Sequence, residues 1–234
     1  MIRKFRREIM QAPPLLAIHG PFYIAQEAAD LVQCLLLSTP MQDGYYDLPL
    51  GKLANVVTYL EMRQPPALGT PTMSEFAIRR IAQPDLEWYR ALYRRIGEPW
   101  LWFSRLRMDD EELRALLEDP AIDVFVLSRE GEDHGLLEFD RRNLPDIEIT
   151  FFGVTQEMIG KGAGRALLAY CLPLAWEHHP QRVWLHTCSS DHPSALAFYQ
   201  KMGFVPYKRA IEVAADPRLT GEMPRNAAPH VPML

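Results

Sequence analysis

The sequence predicts a mixed α/β (α+β) protein, a mostly antiparallel sheet with helices on both faces and an extra N-terminal segment. Three observations carry this. From Phe76 onward, runs of β-branched and aromatic residues alternate with longer amphipathic runs that begin at helix caps. Proline gathers at the ends, eight before residue 75 and five after residue 204 of the 20 in the chain, so regular structure belongs to the middle. A strand–helix–strand unit with a glycine-rich turn then follows an antiparallel hairpin, which mixes strand directions in one sheet.

In order, Ala25 to Leu37 reads as a short helix and Asn55 to Met62 as a strand, with Gln64 to Pro71 a linker. Phe76 to Ile81 is a strand, and Asp85 caps a helix through Arg95. A second helix starts near Asp109 or Asp110, shows Leu113, Leu116 and Leu117 on one face, and stops at Asp119-Pro120. Ile122 to Ser128 and Gly135 to Asp140 flank Glu130-Gly131-Glu132-Asp133 as a hairpin, and Ile147 to Val154 is a further strand. An apolar helix from about Gly162 to His178, a strand Arg182 to Cys188, a helix Ser194 to Met202 and a last strand from Phe204 complete the series. The domain expectation is an N-terminal extension 1–74 packed on the main domain 75–213, then an irregular proline-rich tail 214–234.

Composition narrows the function classes. At 234 residues the chain is long enough for a substantial core, and 48% hydrophobic with 24% charged residues is ordinary for a globular protein. A net charge of -5 argues against nucleic acid as a partner, because phosphate neutralisation needs a basic surplus. Cys34, Cys171 and Cys188 form neither a disulfide scaffold nor a C-x-x-C pair, so no metal site is expected and a reducing cytoplasm fits best. The apolar stretch Leu31 to Leu37 is too short to span a bilayer, and prolines interrupt the region behind the basic start, so no membrane role is expected.

The chemistry lies in Val154-Thr155-Gln156-Glu157-Met158-Ile159-Gly160-Lys161-Gly162-Ala163-Gly164-Arg165, a strand end, three alternate glycines and a helix start. Such a turn lets an anion approach free backbone N–H groups at the positive end of the helix dipole, and diphosphate is the natural ligand. A tight turn with close helix packing would use the same glycines. A P-loop is excluded because no G-K-[ST] follows, and a Rossmann reading suffers from the unit's late position. About forty residues on stands His192-Pro193-Ser194-Ala195-Leu196-Ala197-Phe198-Tyr199-Gln200-Lys201-Met202-Gly203-Phe204.

Together the two segments resemble the GNAT superfamily of N-acetyltransferases, with its [QR]-x-x-G-x-[GA] turn and N-x-x-A-x-x-x-Y-x-x-x-G-F helix-to-strand segment. The likeness spans roughly Phe76 to Ile211. Ile159 stands where Gln or Arg is usual, and His192 replaces the usual Asn. The resemblance implies a GNAT-like fold and acetyl-CoA as co-substrate, held by Phe152 and Val154 at the strand end, by Ile159, Gly160, Lys161, Gly162, Ala163, Gly164 and Arg165 of the turn, and by His192. It implies that the strands 147–154 and 182–188 diverge to admit the pantetheine arm. A neutral amine then attacks the thioester directly, which requires a base for the ammonium and an acid for the sulfur. Tyr199 matches the family tyrosine that points at the sulfur. Glu148, eleven residues before Ile159, falls where histone-acetyltransferase-like members place a catalytic glutamate. Strand alternation sends Glu148, Thr150 and Phe152 to one face and Ile147, Ile149 and Phe151 to the other.

Glu138 on the preceding strand and His186 after the cofactor helix are further candidates to face the acceptor, each competing with a purely structural role. In this family the loop after the first helix lines the acceptor pocket. Trp100 and Trp102 are therefore substrate-binding candidates, and an apolar or aromatic amine of a small molecule or peptide fits them. A non-catalytic acyl-CoA sensor on the same fold is the alternative. The strand 55–62 has no obvious partner, and an unpaired strand leaves backbone groups unsatisfied. It is expected to join the sheet of its own chain or that of a second copy in a homodimer.

Overall fold

A computed structural model of the chain describes residues 42–66 and 75–234. The helix expected over 25–37 and the end of the expected linker lie outside the described residues. Residues 42–47 belong to an N-terminal unit and hold a turn in which the Tyr46 hydroxyl donates to the Gln42 carbonyl at 2.9 Å. Residues 48–234 form the unit described below.

Its elements are β1 (Lys52–Met62), β2 (Ala77–Ile81), α1 (Leu86–Gly97), a 3-10 turn (Glu98–Trp100), α2 (Ser104–Arg107), α3 (Asp110–Leu117), β3 (Ile122–Arg129), β4 (Glu132–Asp140), β5 (Asp146–Val154), a 3-10 turn (Gln156–Met158), α4 (Ala163–Trp176), β6 (Arg182–Cys188), α5 (Ala195–Lys201), β7 (Val205–Ala215) and α6 (Pro217–Thr220). The caps stand where the sequence puts them. Asp85 accepts from the Trp88 N–H at 2.9 Å, and Asp109 forms a reciprocal capping box with Glu112, satisfying donors that a helix start leaves free.

The seven strands lie in the order β2-β3-β4-β5-β6-β1-β7, all neighbours antiparallel except β5 and β6. β1 pairs on one side with β6 and on the other with β7, so the early strand enters the sheet of its own chain, between two later strands. The final strand is longer than expected, reaching Ala215, and the segment behind it consists of turns and bends apart from one short helix. Asp216 caps the single turn α6, and Met223, Ala227 and Ala228 are buried.

Two cores cover opposite faces of the sheet. On one, α4 and α5 lay Leu167, Leu168, Leu172 and Tyr199 against Leu60, Leu137, Ile147, Ile149 and Leu185. On the other, α1 and α3 lay Tyr89, Leu92, Tyr93, Ile96 and Leu113 against Val124, Val126 and Leu136. Leu136 and Leu137 serve opposite cores because successive strand residues alternate sides, which is why β3 and β4 are buried almost throughout. Among the described residues no helix is long and apolar enough to cross a membrane.

The alternation expected along β5 holds only to Ile149. Glu138 pairs with Phe151 and Phe139 with Ile149, so Thr150 is the extra residue of a β-bulge. The bulge reverses the sides beyond it. Phe152 and Val154 join Ile147 and Ile149 on the α4 side, while Phe151 joins the α1 side, the opposite of strict alternation.

Candidate active site

β5 and β6 run parallel for three residue pairs, Asp146 with Arg182, Ile147 with Val183 and Glu148 with Trp184, and then separate. Beyond that point their facing peptide groups have no strand partner, so an extended amide chain entering the gap could bond to both edges. A cavity of about 860 Å³ fills the opening.

At the wide end lies the glycine turn. Gly160 and Gly162 have φ of 78° and 82°, the left-handed region that glycine tolerates, and a β-carbon on either would stand in open space. Gly162 caps the 14-residue α4, whose first N–H groups point at the cavity mouth. The preceding turn is tied down. The Thr155 N–H donates to the His134 carbonyl at 2.8 Å, and His134 Nδ1 lies 3.1 Å from both Thr155 Oγ1 and Glu157 Oε1. Glu157 also meets Arg95 of α1 at 3.1 Å. Gly164, Arg165 and the exposed Ile159 line the cavity. Lys161 is exposed outside it, and the Ala163 side chain is fully buried in the core, which leaves only its backbone for a ligand.

Tyr199 is held from α5 in an aromatic floor. Phe152 stacks on Phe198 with ring centres 5.6 Å apart and 8° between planes, and Tyr199 meets both edge-on at 5.9 and 5.5 Å. Burial, with the nearby Asp191 charge, pushes the Tyr199 hydroxyl well above the usual phenol range, so it stays protonated at neutral pH. The His192 Nδ1 accepts from the Ser194 N–H at 3.1 Å and lies 2.7 Å from its hydroxyl, the local capping that an Asn side chain can also supply. His192 lines the cavity, with Trp100 edge-on at 5.2 Å.

The far wall is the loop between α1 and α3. Trp102 fits because two positions lack a side chain. A β-carbon at Gly97 would stand 2.4 Å from Trp102 Cβ, and one at Gly153 would stand 2.6 Å from Ile96 and 2.9 Å from the indole. Trp102 also packs on Tyr93 and Phe151 with centres 5.5 and 5.3 Å away. Both Trp100 and Trp102 line the cavity, as does the exposed His186, whose ring lies 5.6 Å from Tyr59 of β1.

Two expected carboxylates lie outside it. Glu138 is fully buried, accepting from the Tyr89 hydroxyl at 2.7 Å, the Thr150 hydroxyl at 3.0 Å and Arg105 at 2.5 Å. These three donors occupy it, so it anchors the bulge and the loop instead of meeting a substrate. Glu148 stands at the last paired position below the gap, and burial, reinforced by Asp140, raises its carboxyl to about 7. Sequence reasoning missed Arg105, Asn55, Asp191 and Glu212, all of which line the cavity. Asn55 of β1 accepts from Ser190 at 2.6 Å and donates to Glu212 of β7 at 3.4 Å. No local signal marks this pair, because its members are brought together from opposite ends of the chain.

The splayed strands, the glycine turn and the buried tyrosine define a class of protein, and comparison with known families agrees. The Acetyltransferase (GNAT) family model matches residues 86–204, half of the chain. The chain belongs to this family of acyltransferases. No curated protein matches it. Among solved structures it is similar to a GCN5-related N-acetyltransferase from Sphaerobacter thermophilus, 17% identical, covering 81% of this chain and 56% of that one, with a TM-score of 0.52. A protein of Novosphingobium aromaticivorans described as a GNAT-family acetyltransferase is 16% identical, covering 72% of this chain and 68% of that one, with a TM-score of 0.51. A functionally unknown protein from Staphylococcus epidermidis is 17% identical, covering 71% of this chain and 64% of that one, with a TM-score of 0.49. The chain thus spans less than two thirds of the Staphylococcus and Sphaerobacter proteins.

Proposed function

We propose that this protein transfers the acetyl group of acetyl-CoA directly to a primary amine of a small molecule or peptide. The observation that supports this most is that one cavity joins a glycine turn at a helix N-terminus, a gap between parallel strands and a buried tyrosine. The diphosphate rests on the N–H groups of Gly160 to Arg165, with Arg165 nearby, and the pantetheine lies between β5 and β6 beside Phe152. The amine nitrogen attacks the thioester carbonyl, a C–N bond forms, and the C–S bond breaks. Glu148, ionised above about pH 7, takes the ammonium proton through water, and the Tyr199 hydroxyl supplies a proton to the leaving sulfur. The acceptor enters on the side of Trp100 and Trp102, which suits an amine with an apolar or aromatic body.

Calorimetry with acetyl-CoA, followed by thiol release over a panel of primary amines, tests this reading. Binding with turnover on at least one amine is expected. Binding without turnover on any amine would favour an acyl-CoA sensor, a reading that the departures at Ile159 and His192 support. Absence of binding would remove both.

A further inference from the structure

We infer that the C-terminal segment from Asp216 to Val231 is a clamp that holds the loop Leu101–Arg107 in its working position, with Arg107 as the positioning residue. The inference rests on the acetyltransferase reading, in which this loop forms the acceptor-side wall. The loop has two sides. Trp102, Ser104 and Arg105 line the cavity, and Leu101 and Phe103 also border it while packing, with Leu106, against Leu53, Met223, Ala227, Ala228 and Val231. Arg107 ties the same contact with polar bonds. It donates to Glu222 at 2.7 Å, to the Ala215 carbonyl at 2.9 Å and to the Thr220 hydroxyl at 3.5 Å, and its guanidinium lies 4.0 Å over the Phe103 ring.

The segment is itself fixed from within. Arg218 and Asp216 form an ion pair at 2.7 Å with both side chains only 2% exposed. The same guanidinium donates to the carbonyls of Ala227, Ala228, Val231 and Pro232 at 2.8 to 3.4 Å. A charge buried this deeply persists only where partners surround it, so one arginine ties the turns of the tail together. The loop needs such support. Leu101 is held at φ 56°, a strained conformation for a non-glycine residue, and the four-residue α2 has no side-chain cap. Beyond the loop, Trp100 lies 5.8 Å from His230 of the tail. The clamp lies wholly after the stretch matched by the family, and its contacts are with the loop, Trp100 and the start of β1, away from the glycine turn. It therefore acts on acceptor binding and leaves acetyl-CoA binding alone.

The test uses the full chain with Arg107→Met, a chain ending at Gly221, and Arg107→Lys as the conservative control. Three quantities are read: acetyl-CoA affinity by calorimetry, amide exchange over residues 98–107, and KM and kcat with tryptamine as the probe amine. In Arg107→Met and the shortened chain, loop exchange should accelerate and KM for tryptamine should rise about tenfold, with kcat within about twofold, since a displaced wall weakens positioning more than chemistry. Acetyl-CoA affinity should stay unchanged, and Arg107→Lys should recover only part of the loss, since an ammonium keeps the charge near Glu222 but not the forked bonds or the stacking on Phe103. Unchanged loop exchange, or acetyl-CoA affinity falling in parallel with KM, would overturn the clamp. If the wild-type protein turns over no amine, the acetyltransferase reading fails, while exchange and calorimetry still decide the clamp.

Discussion

In the proposed reaction Tyr199 is the acid and Glu148 the base, and their surroundings suit those parts. Tyr199 is buried among rings, where the phenolate is penalised, so its hydroxyl remains a donor. Tyr199→Phe keeps the ring and its packing, and kcat should fall by about 10²-fold with unchanged acetyl-CoA affinity, the share that a positioned acid contributes. Wild-type turnover in this variant would return Tyr199 to packing alone. Glu148 has its carboxyl raised to about 7 from 4.5, first by burial and then by Asp140, against the pull of Arg105. Between those two values the folded state binds a proton that the unfolded state has released, so stability falls as pH rises from 4.5 to 7. Glu148→Gln should therefore melt higher than wild type above pH 7, with the gap closing below pH 4.5 in thermal melts across that range. The rise in rate through about pH 7 should vanish in the same variant, and its persistence would assign the base elsewhere.

At the scale of elements, the glycine turn and α4 act as one unit, and their glycines have different duties. Gly162 stands at φ 82° as the cap of α4, so Gly162→Ala should cost about 1 kcal/mol of stability from the left-handed conformation alone. A β-carbon at Gly164 meets only Phe152 at 3.5 Å and Phe198 at 3.9 Å, ordinary contacts. Gly164→Val should accordingly fold normally, by thermal melt, and lose acetyl-CoA affinity by calorimetry because its methyls enter the cavity. This turn was legible because its requirements are local: glycines where φ is positive, a strand before and a helix after. The β5 bulge was not. It depends on Glu138 holding the Thr150 hydroxyl and Arg105 in the folded sheet, and no residue type at Thr150 announces an insertion.

Across the whole molecule, β1 closes the sheet from a distance, with β6 on one edge and β7 on the other. Deleting residues 1–62 would open two strand edges and expose Leu185 and Met202 beside the lost Leu60 and Met62. Such a chain should be insoluble or aggregate on size-exclusion chromatography, and a soluble active remnant would show that β1 is dispensable. The same strand gives the cavity Asn55, while β7 gives Glu212, so part of the cavity wall comes from residues outside the matched stretch 86–204.

The amino-acid sequence alone determined the order and type of the strands and the longer helices from Phe76 onward, the caps at Asp85 and Asp109, the glycine turn and the Tyr199 helix. Each of these obeys rules that reach only a few residues along the chain, and periodicity, capping and backbone freedom are all written at that range. Tertiary structure alone decided that β1 lies between β6 and β7, that Glu138 is spent on Arg105 while Glu148 lies below the gap, and that the tail backs the loop 101–107. Those outcomes depend on which distant surfaces exclude water together and which charges find partners there, and contacts between residues far apart along the chain leave no local pattern to read.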